Sequence, residues 1–480
     1  MQHDSRVQMG PHVGLRVKLL YGIGDVANTI KSTAFGLFIL FFYTTVMGVP
    51  GTWIGIVAVV VLLWDASIDP YIGYLSDQTQ SRFGRRYTFM LIGSLTMGIS
   101  FWFVFSPPQG LSKGLLVVWL LVSSLLVRTA ISMYGIPYYA LGAELSQTYH
   151  ERTEITGIRS ILALLGTLAA ASLSFLVFFP DRTPGVDPKF NYAGYPTMGL
   201  TFGLIMTAVG LAATLGTRHQ SRSQPRIDFE TTRPQALHSF FGSFRQSLSN
   251  PAFRMIFFSF SLFFLGIVIN STLSLHYLTY YVNITDSKSI STLQLVFYIG
   301  GLIGVAFWLL MSKTMEKHQL YFLAAVVTAA LMFAAFLLMG KDGLFGSGNL
   351  RPLLIGHILL GFFGSVVWFI PASMVADVID EDEIVTDMRR EGSFFGLFSF
   401  GPQLATGLSV LLTGVLVDRF AGLIPAQAQQ SAQTVHRIGM LYSVLPALLV
   451  LAAAVIILRY PLTQSRVVSI RTELDSRRTS

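Results

Sequence analysis

The segment WDASIDP sets Asp65 and Asp69 four residues apart within an apolar run, so on a helix the two carboxylates share one face. If that run crosses a membrane, each carboxylate costs at least about 2.5 kcal/mol on insertion scales, so the pair demands cationic partners, protons or a bound cation. Asp25, Lys31, Arg128, His276 and His357 also fall within apolar runs, and each is a functional-site candidate because a polar group at depth is costly. Lys31 lies about eleven residues past Leu20, roughly 16 Å along a helix, which favours a cavity-facing position over snorkelling. The plainer alternatives are a structural pair neutralised by Lys31 or Arg128, and histidines satisfied by packing.

The elements that must hold these groups follow from composition. The 480 residues are 52% hydrophobic and 12% charged, against about 25% charged in soluble domains, which excludes an ordinary soluble enzyme. The 33 Lys and Arg exceed the 25 Asp and Glu, an excess that in so apolar a chain reflects membrane topology and requires no nucleic acid. With no cysteine there is no disulfide framework and no thiolate metal or redox centre, and the redox compartment is unreadable. The first twenty residues are polar and lack a signal-peptide core, so the amino terminus is expected in the cytoplasm.

Runs of roughly 20 apolar residues, the length that crosses about 30 Å of hydrocarbon, occur near 20–47, 51–75, 87–107, 115–140, 157–179, 198–216, 253–282, 290–311, 320–340, 351–376, 393–417 and 438–459. The fold class expected is therefore all-α, with twelve transmembrane helices. The break between the first two rests on Gly48, Pro50 and Gly51. With both termini inside, most Lys and Arg fall in cytoplasmic segments. The polar stretch from Thr217 to Asn250 reads as a cytoplasmic linker, giving a six-helix bundle over 1–216, a linker over 217–252 and a second bundle with a cytoplasmic tail over 253–480. A shift of 233 residues superposes Glu144 on Asp377, Thr153 on Thr386, Glu154 on Asp387 and Ser160 on Ser393, at the same ends of spans four and ten.

Two loops carry clustered charge. The loop after span two, GYLSDQTQSRFGRRY, bears Asp77, Arg82, Arg85 and Arg86, which could pair across the cytoplasmic face to hold one conformation closed or simply anchor the positive-inside topology. The run DVIDEDEIVTDMRRE, from Asp377 to Glu391, lacks the glycine and ligand spacing of a calcium loop. With Glu144, Arg389 and Arg390 it reads as a cytoplasmic gate that pairs with basic loops such as Arg85 and Arg86.

The Gly, Asp, Gly and Arg spacing of the first loop resembles the signature of the major facilitator superfamily. Four segments resemble more narrowly its glycoside-pentoside-hexuronide:cation symporters: YGIGD with FFYTTVMGVP, WDASIDP with SRFGRR, IPYYALGAELSQTYHERTE, and ADVIDEDEIVTDMRREGS. The resemblance implies that Asp65 and Asp69 bind the coupling ion with help from the Ser132 hydroxyl, and that Arg159 matches the family's arginine early in span five. Tyr138 and Tyr139 stand where the family keeps an aromatic side chain, suited to stacking on a sugar ring or simply to packing. The chain departs from the family's melibiose-type pattern in four places. Gly135 and Thr29 replace sugar-clamp aspartates, Gln403 replaces a lysine, and Ile68 replaces an asparagine beside the ion site.

The resemblance thus implies a secondary transporter in a bacterial-type inner membrane, embedded in the lipid bilayer, that couples H+ or Na+ to the symport of a sugar-like small molecule. A monomer is expected, and the loss of acidic clamp positions at Thr29 and Gly135 beside the charges of Lys31 and Arg128 favours an anionic or strongly polar solute. Its substrate candidates are Asp25, Thr29, Lys31, Arg128, Tyr138, Tyr139, Arg159, His276, His357 and Gln403. A lysophospholipid or other amphiphile is the alternative cargo. No cofactor is expected beyond the coupling ion, and no phosphate-binding GxxxxGK[ST] loop is present in the sequence to couple ATP. A membrane-embedded enzyme or sensor would need a catalytic constellation at one membrane face, and no His-rich or Cys-rich cluster supplies one.

Overall fold

The computed structural model describes residues 13–79, 86–146, 148–181, 187–218 and 246–479, and among them there is helix but no strand. Twelve helices there are long and apolar enough to cross a membrane: α1 (Leu15–Val46), α2 (Gly51–Ser76), α3 (Tyr87–Phe105), α4 (Lys113–Gly142), α5 (Glu151–Phe178), α6 (Gly194–Gly216), α7 (Pro251–Val282), α8 (Ser287–Met311), α9 (Lys317–Leu338), α10 (Leu350–Thr386), α11 (Glu391–Ala421) and α12 (Ala432–Ile457). Local signals start several of them. Asn250, Asp286 and Ser431 accept from the backbone N–H groups of Phe253, Ser289 and Thr434 at 3.0, 2.7 and 3.1 Å, satisfying donors that the first helical turn leaves open.

Three helices run further than hydropathy alone indicates. α1 starts at Leu15, α5 at Glu151 and α10 continues to Thr386. For the first two the reason is mutual neutralisation, since Lys18 on α1 pairs with Glu151 at 3.2 Å and Glu154 at 2.6 Å on α5. A polar helix end remains helical where its charges find partners outside the hydrocarbon. A further helix, α13 (Gln464–Thr479), forms within the segment expected to be a cytoplasmic tail.

The described residues form two compact units. One comprises those of Met1–Phe42, Val59–Pro184 and Pro188–Ile227, and the other those of Tyr43–Ala58, Gly185–Asp187 and Asp228–Ser480. In the first, α1 packs on α5 and α6, and α3 on α4 and α6; in the second, α7 packs on α11 and α12, and α9 on α12. The first helix therefore meets the fifth and sixth, and the third meets the sixth, twice over. At the α3–α6 crossing Gly98 and Gly203 bring the backbones together, and a Cβ on either would collide with the other's carbonyl.

α1, α7 and α11 end alike. Each closes in a π-helical turn, Phe42–Val46, Tyr277–Val282 and Val417–Ala421. A residue with positive φ follows, Gly48 at 74°, Asn283 at 61° and Gly422 at 70°. The next N–H then returns to the chain: Val49 donates to Tyr43 O at 2.8 Å, Ile284 to Leu278 O at 2.8 Å, and Leu423 to Val417 O at 3.1 Å. The left-handed turn reverses the chain, and the buried Val49, Ile284 and Leu423 seal it against the helix.

Candidate functional site

Asp65 on α2 faces Arg128 on α4, whose Nη1 lies 2.8 Å from Asp65 Oδ2, with 25% of the arginine side chain and 15% of the aspartate exposed. One turn along both helices Ser132 donates to Asp69 Oδ1. The i, i+4 spacing of both pairs thus sets carboxylates on α2 against a guanidinium and a hydroxyl on α4. Trp64 Nε1 donates to Thr129 Oγ1 at 3.0 Å and fixes the same two helices beside the pair. Arg128 also lies over the Phe35 ring, 5.8 Å from its centroid, so its charge is held from two sides.

A second polar group is built around the break in α1 at Gly24 and Asp25. Tyr139 on α4 donates to Asp25 Oδ1 at 2.6 Å and accepts from Asn28 Nδ2 at 3.2 Å. Arg159 on α5 completes it, with Nε 3.7 Å from Asp25 Oδ2 and the guanidinium 5.2 Å from the Tyr139 centroid. Tyr139 is 39% exposed, whereas Tyr138 is 1% exposed, stacked on Tyr21 at 4.6 Å and donating to the Tyr21 carbonyl at 2.8 Å. Of the two tyrosines singled out by sequence, Tyr139 is thus the one with an accessible ring and Tyr138 a packing residue. Thr29 donates to the Val26 carbonyl at 3.0 Å and packs toward Gly166 on α5.

Lys31, on α1 of the same unit, is 7% exposed. The first unit therefore gathers three cations, Lys31, Arg128 and Arg159, and three carboxylates, Asp25, Asp65 and Asp69. Such a group can bind a polar or charged solute through hydrogen bonds strengthened by low dielectric. Asn28 and Tyr21 were missed by the sequence reading; the signal for Asn28 was its position one helical turn after Asp25.

His276, His357 and Gln403 belong to the second unit. His276 is fully buried with Nε2 3.0 Å from Thr44 Oγ1, His357 Nδ1 meets the Leu353 carbonyl at 2.9 Å, and Gln403 is exposed. Among the gate candidates, Arg86 pairs with Glu144 at 2.6 Å within the first unit. Arg82, Arg85 and the Asp77 side chain lie outside the described residues. In the second unit Arg389 pairs with Asp380, Glu383 and Glu391 at 3.3, 2.6 and 2.6 Å, and Arg390 with Asp382 at 2.5 Å. The bonds to Glu383 and Glu391 hold the Arg389 guanidinium above its ordinary range. Asp377 pairs with Lys317 and, at 3.2 Å, with Arg471 on α13. Burial, followed by the nearby Asp377 and Glu381, raises the Tyr460 phenol above its ordinary range. Ile470 and Leu474 on α13 are buried in the core of the second unit, and Val467 packs against it.

Comparison with known proteins places these features. The chain is 24% identical to the glucuronide carrier protein homolog of Escherichia coli, over 98% of this chain and 97% of the relative. It is 24% identical to sodium-dependent lysophosphatidylcholine symporter 1 of Xenopus tropicalis, over 94% of this chain and 87% of the relative. The solved structure of a D-xylose-proton symporter covers 93% of this chain and is itself covered to 98%, with a TM-score of 0.63 and 14% identity, a likeness of fold alone. These likenesses bear out the resemblance drawn from WDASIDP and its companion segments, and the twelve apolar helices make the chain a multi-pass membrane protein. With the family match running from residue 20 to residue 464, the chain belongs to the MFS/sugar transport protein family.

Proposed function

We propose that the chain is a proton-coupled symporter of a small, polar, anionic solute of sugar type, working by alternating access in a bacterial inner membrane with both termini cytoplasmic. The observation that carries this reading is the Arg128–Asp65 pair at 2.8 Å. Arginine stays protonated under physiological conditions, so a fixed cation occupies a carboxylate that the family resemblance gives to the coupling ion, and it competes there with Na+. Gly135, where the family's clamp carries an aspartate, has no charge to offset it. The coupling cation is then a proton taken by the carboxylate pair, and Lys31 and Arg159 supply positive charge for an anionic solute. Tyr139, with Asn28 and Asp25, offers the stacking face and hydroxyl partners that a sugar ring requires. The proposed organisation is a monomer of two six-helix halves, 1–216 and 253–480, joined by residues 217–252, with no catalytic role.

The likeness to a lysophosphatidylcholine symporter supports a second cargo, because three cations beside three carboxylates also suit a zwitterionic headgroup. Proteoliposomes given a Na+ gradient alone or a pH gradient alone, with labelled uronides, neutral glycosides and lysolipids, separate the readings. Accumulation of uronide driven by the pH gradient is expected. Strict dependence on Na+ would remove the proton assignment, and uptake confined to lysolipid would remove the sugar assignment.

A further inference from the structure

In the second unit the start of α2 is capped from α11. Asp418 Oδ1 accepts the Gly51 N–H at 2.9 Å, and its Oδ2 accepts both the Thr52 N–H and the Thr52 hydroxyl at 2.7 Å. Pro50, the residue before α2, has no side-chain acceptor, so these open N–H groups are satisfied by a carboxylate more than 360 residues away in sequence. Close backbone approach holds the geometry, since a Cβ on Gly51 would lie 2.9 Å from the Gly414 carbonyl oxygen and one on Gly55 would lie 2.7 Å from Leu411 Cα. Beside this cap the end of α1 meets α7 through Thr44 and His276, and the Ala426 N–H donates to the Thr44 carbonyl at 3.1 Å.

We propose that Asp418 is a positioning residue that holds the external gate shut by capping α2. In the orientation proposed above, residues 43–58 are the external ends of α1 and α2. Alternating access requires these ends to leave α7 and α11 once in each cycle. A carboxylate and helix N-terminal N–H groups suit that duty, because both are well hydrated when parted, whereas a broad apolar contact would expose surface to water. Glycine at 51, 55 and 414 lets the backbones close without interlocking side chains. The inference rests on alternating access, and on neither the coupling ion nor the solute.

The chain has no cysteine, so one introduced thiol is a unique probe. Val57, 5% exposed within this segment, is replaced by Cys, and labelling by a membrane-impermeant maleimide from the external side is timed in proteoliposomes. Asp418→Asn is expected to raise the rate roughly tenfold, the scale set by one lost hydrogen bond to a charged group. Thr52→Val, which keeps both backbone bonds, should give a smaller rise. Ala453→Cys, in the fully buried core on α12, serves as the folding control and should stay unlabelled in the Asp418→Asn background. An unchanged Val57→Cys rate overturns the proposal, and so does equal acceleration at Ala453→Cys, which would make Asp418 a structural cap only. Because labelling needs no solute or ion gradient, failure here is distinguishable from failure of the transport reading.

Discussion

Arg128 meets Asp65 at 2.8 Å while Ser132 meets Asp69 one turn away, so the two span-two carboxylates have unlike partners, one ionic and one neutral. The arrangement distinguishes them by partner: Asp65 faces a guanidinium on α4, and Asp69 accepts from a hydroxyl one turn along the same helix.

Arg128→Gln is expected to abolish accumulation driven by a pH gradient and to introduce stimulation by Na+, because it vacates the position the guanidinium holds. Breaking a buried ion pair costs roughly 3–5 kcal/mol, and partial exposure here lowers that figure. Uptake by the variant in Na+ and in choline buffer at equal pH checks the outcome; Na+-independent uptake at the parent level would contradict it.

Asp65→Asn and Asp69→Asn should each end concentrative uptake while leaving the chain inserted, since shape is kept and charge is lost. Membrane content by immunoblot and gradient-driven accumulation are the two measurements. Parent-level accumulation in both variants would defeat the assignment of these carboxylates to coupling.

Lys31→Ala should erase the preference for an anionic over a neutral solute. A charge-assisted hydrogen bond contributes roughly 1.5–3 kcal/mol, which selects tenfold or more. Competition of uronide and neutral glycoside against a labelled solute reads the ratio. Tight binding of a neutral galactoside that Lys31→Ala leaves unchanged would count against an anion site.

On α13, Ile470 is 2% exposed and Leu474 6% exposed against the core of the second unit. Truncating a buried Leu or Ile to Ala typically costs roughly 2–5 kcal/mol. Ile470→Ala with Leu474→Ala should therefore lower the thermal unfolding midpoint in detergent by several degrees, and Val468→Ala, an exposed neighbour, should leave it unchanged. Equal midpoints for all three would show that the helix is not docked.

The sequence by itself determined the twelve helices, because crossing hydrocarbon forces long apolar runs whatever the tertiary packing. It also marked Asp65, Asp69, Lys31 and Arg128, because a charge inside such a run is too costly to be incidental. It left open which groups meet. That Arg128 takes Asp65 while Lys31 is buried without displacing it depends on the azimuths of α1, α2 and α4, which hydropathy does not encode. The docking of α13 was hidden for a different reason: a stripe of three apolar residues is too short to separate a packed helix from a polar tail until Arg471 finds Asp377 at 3.2 Å. Asp418 was the least legible, since a carboxylate near a helix end looks like an ordinary loop charge. Its partners at Gly51 and Thr52 are assigned only by the approach of two backbones at glycine, a contact with no local signature.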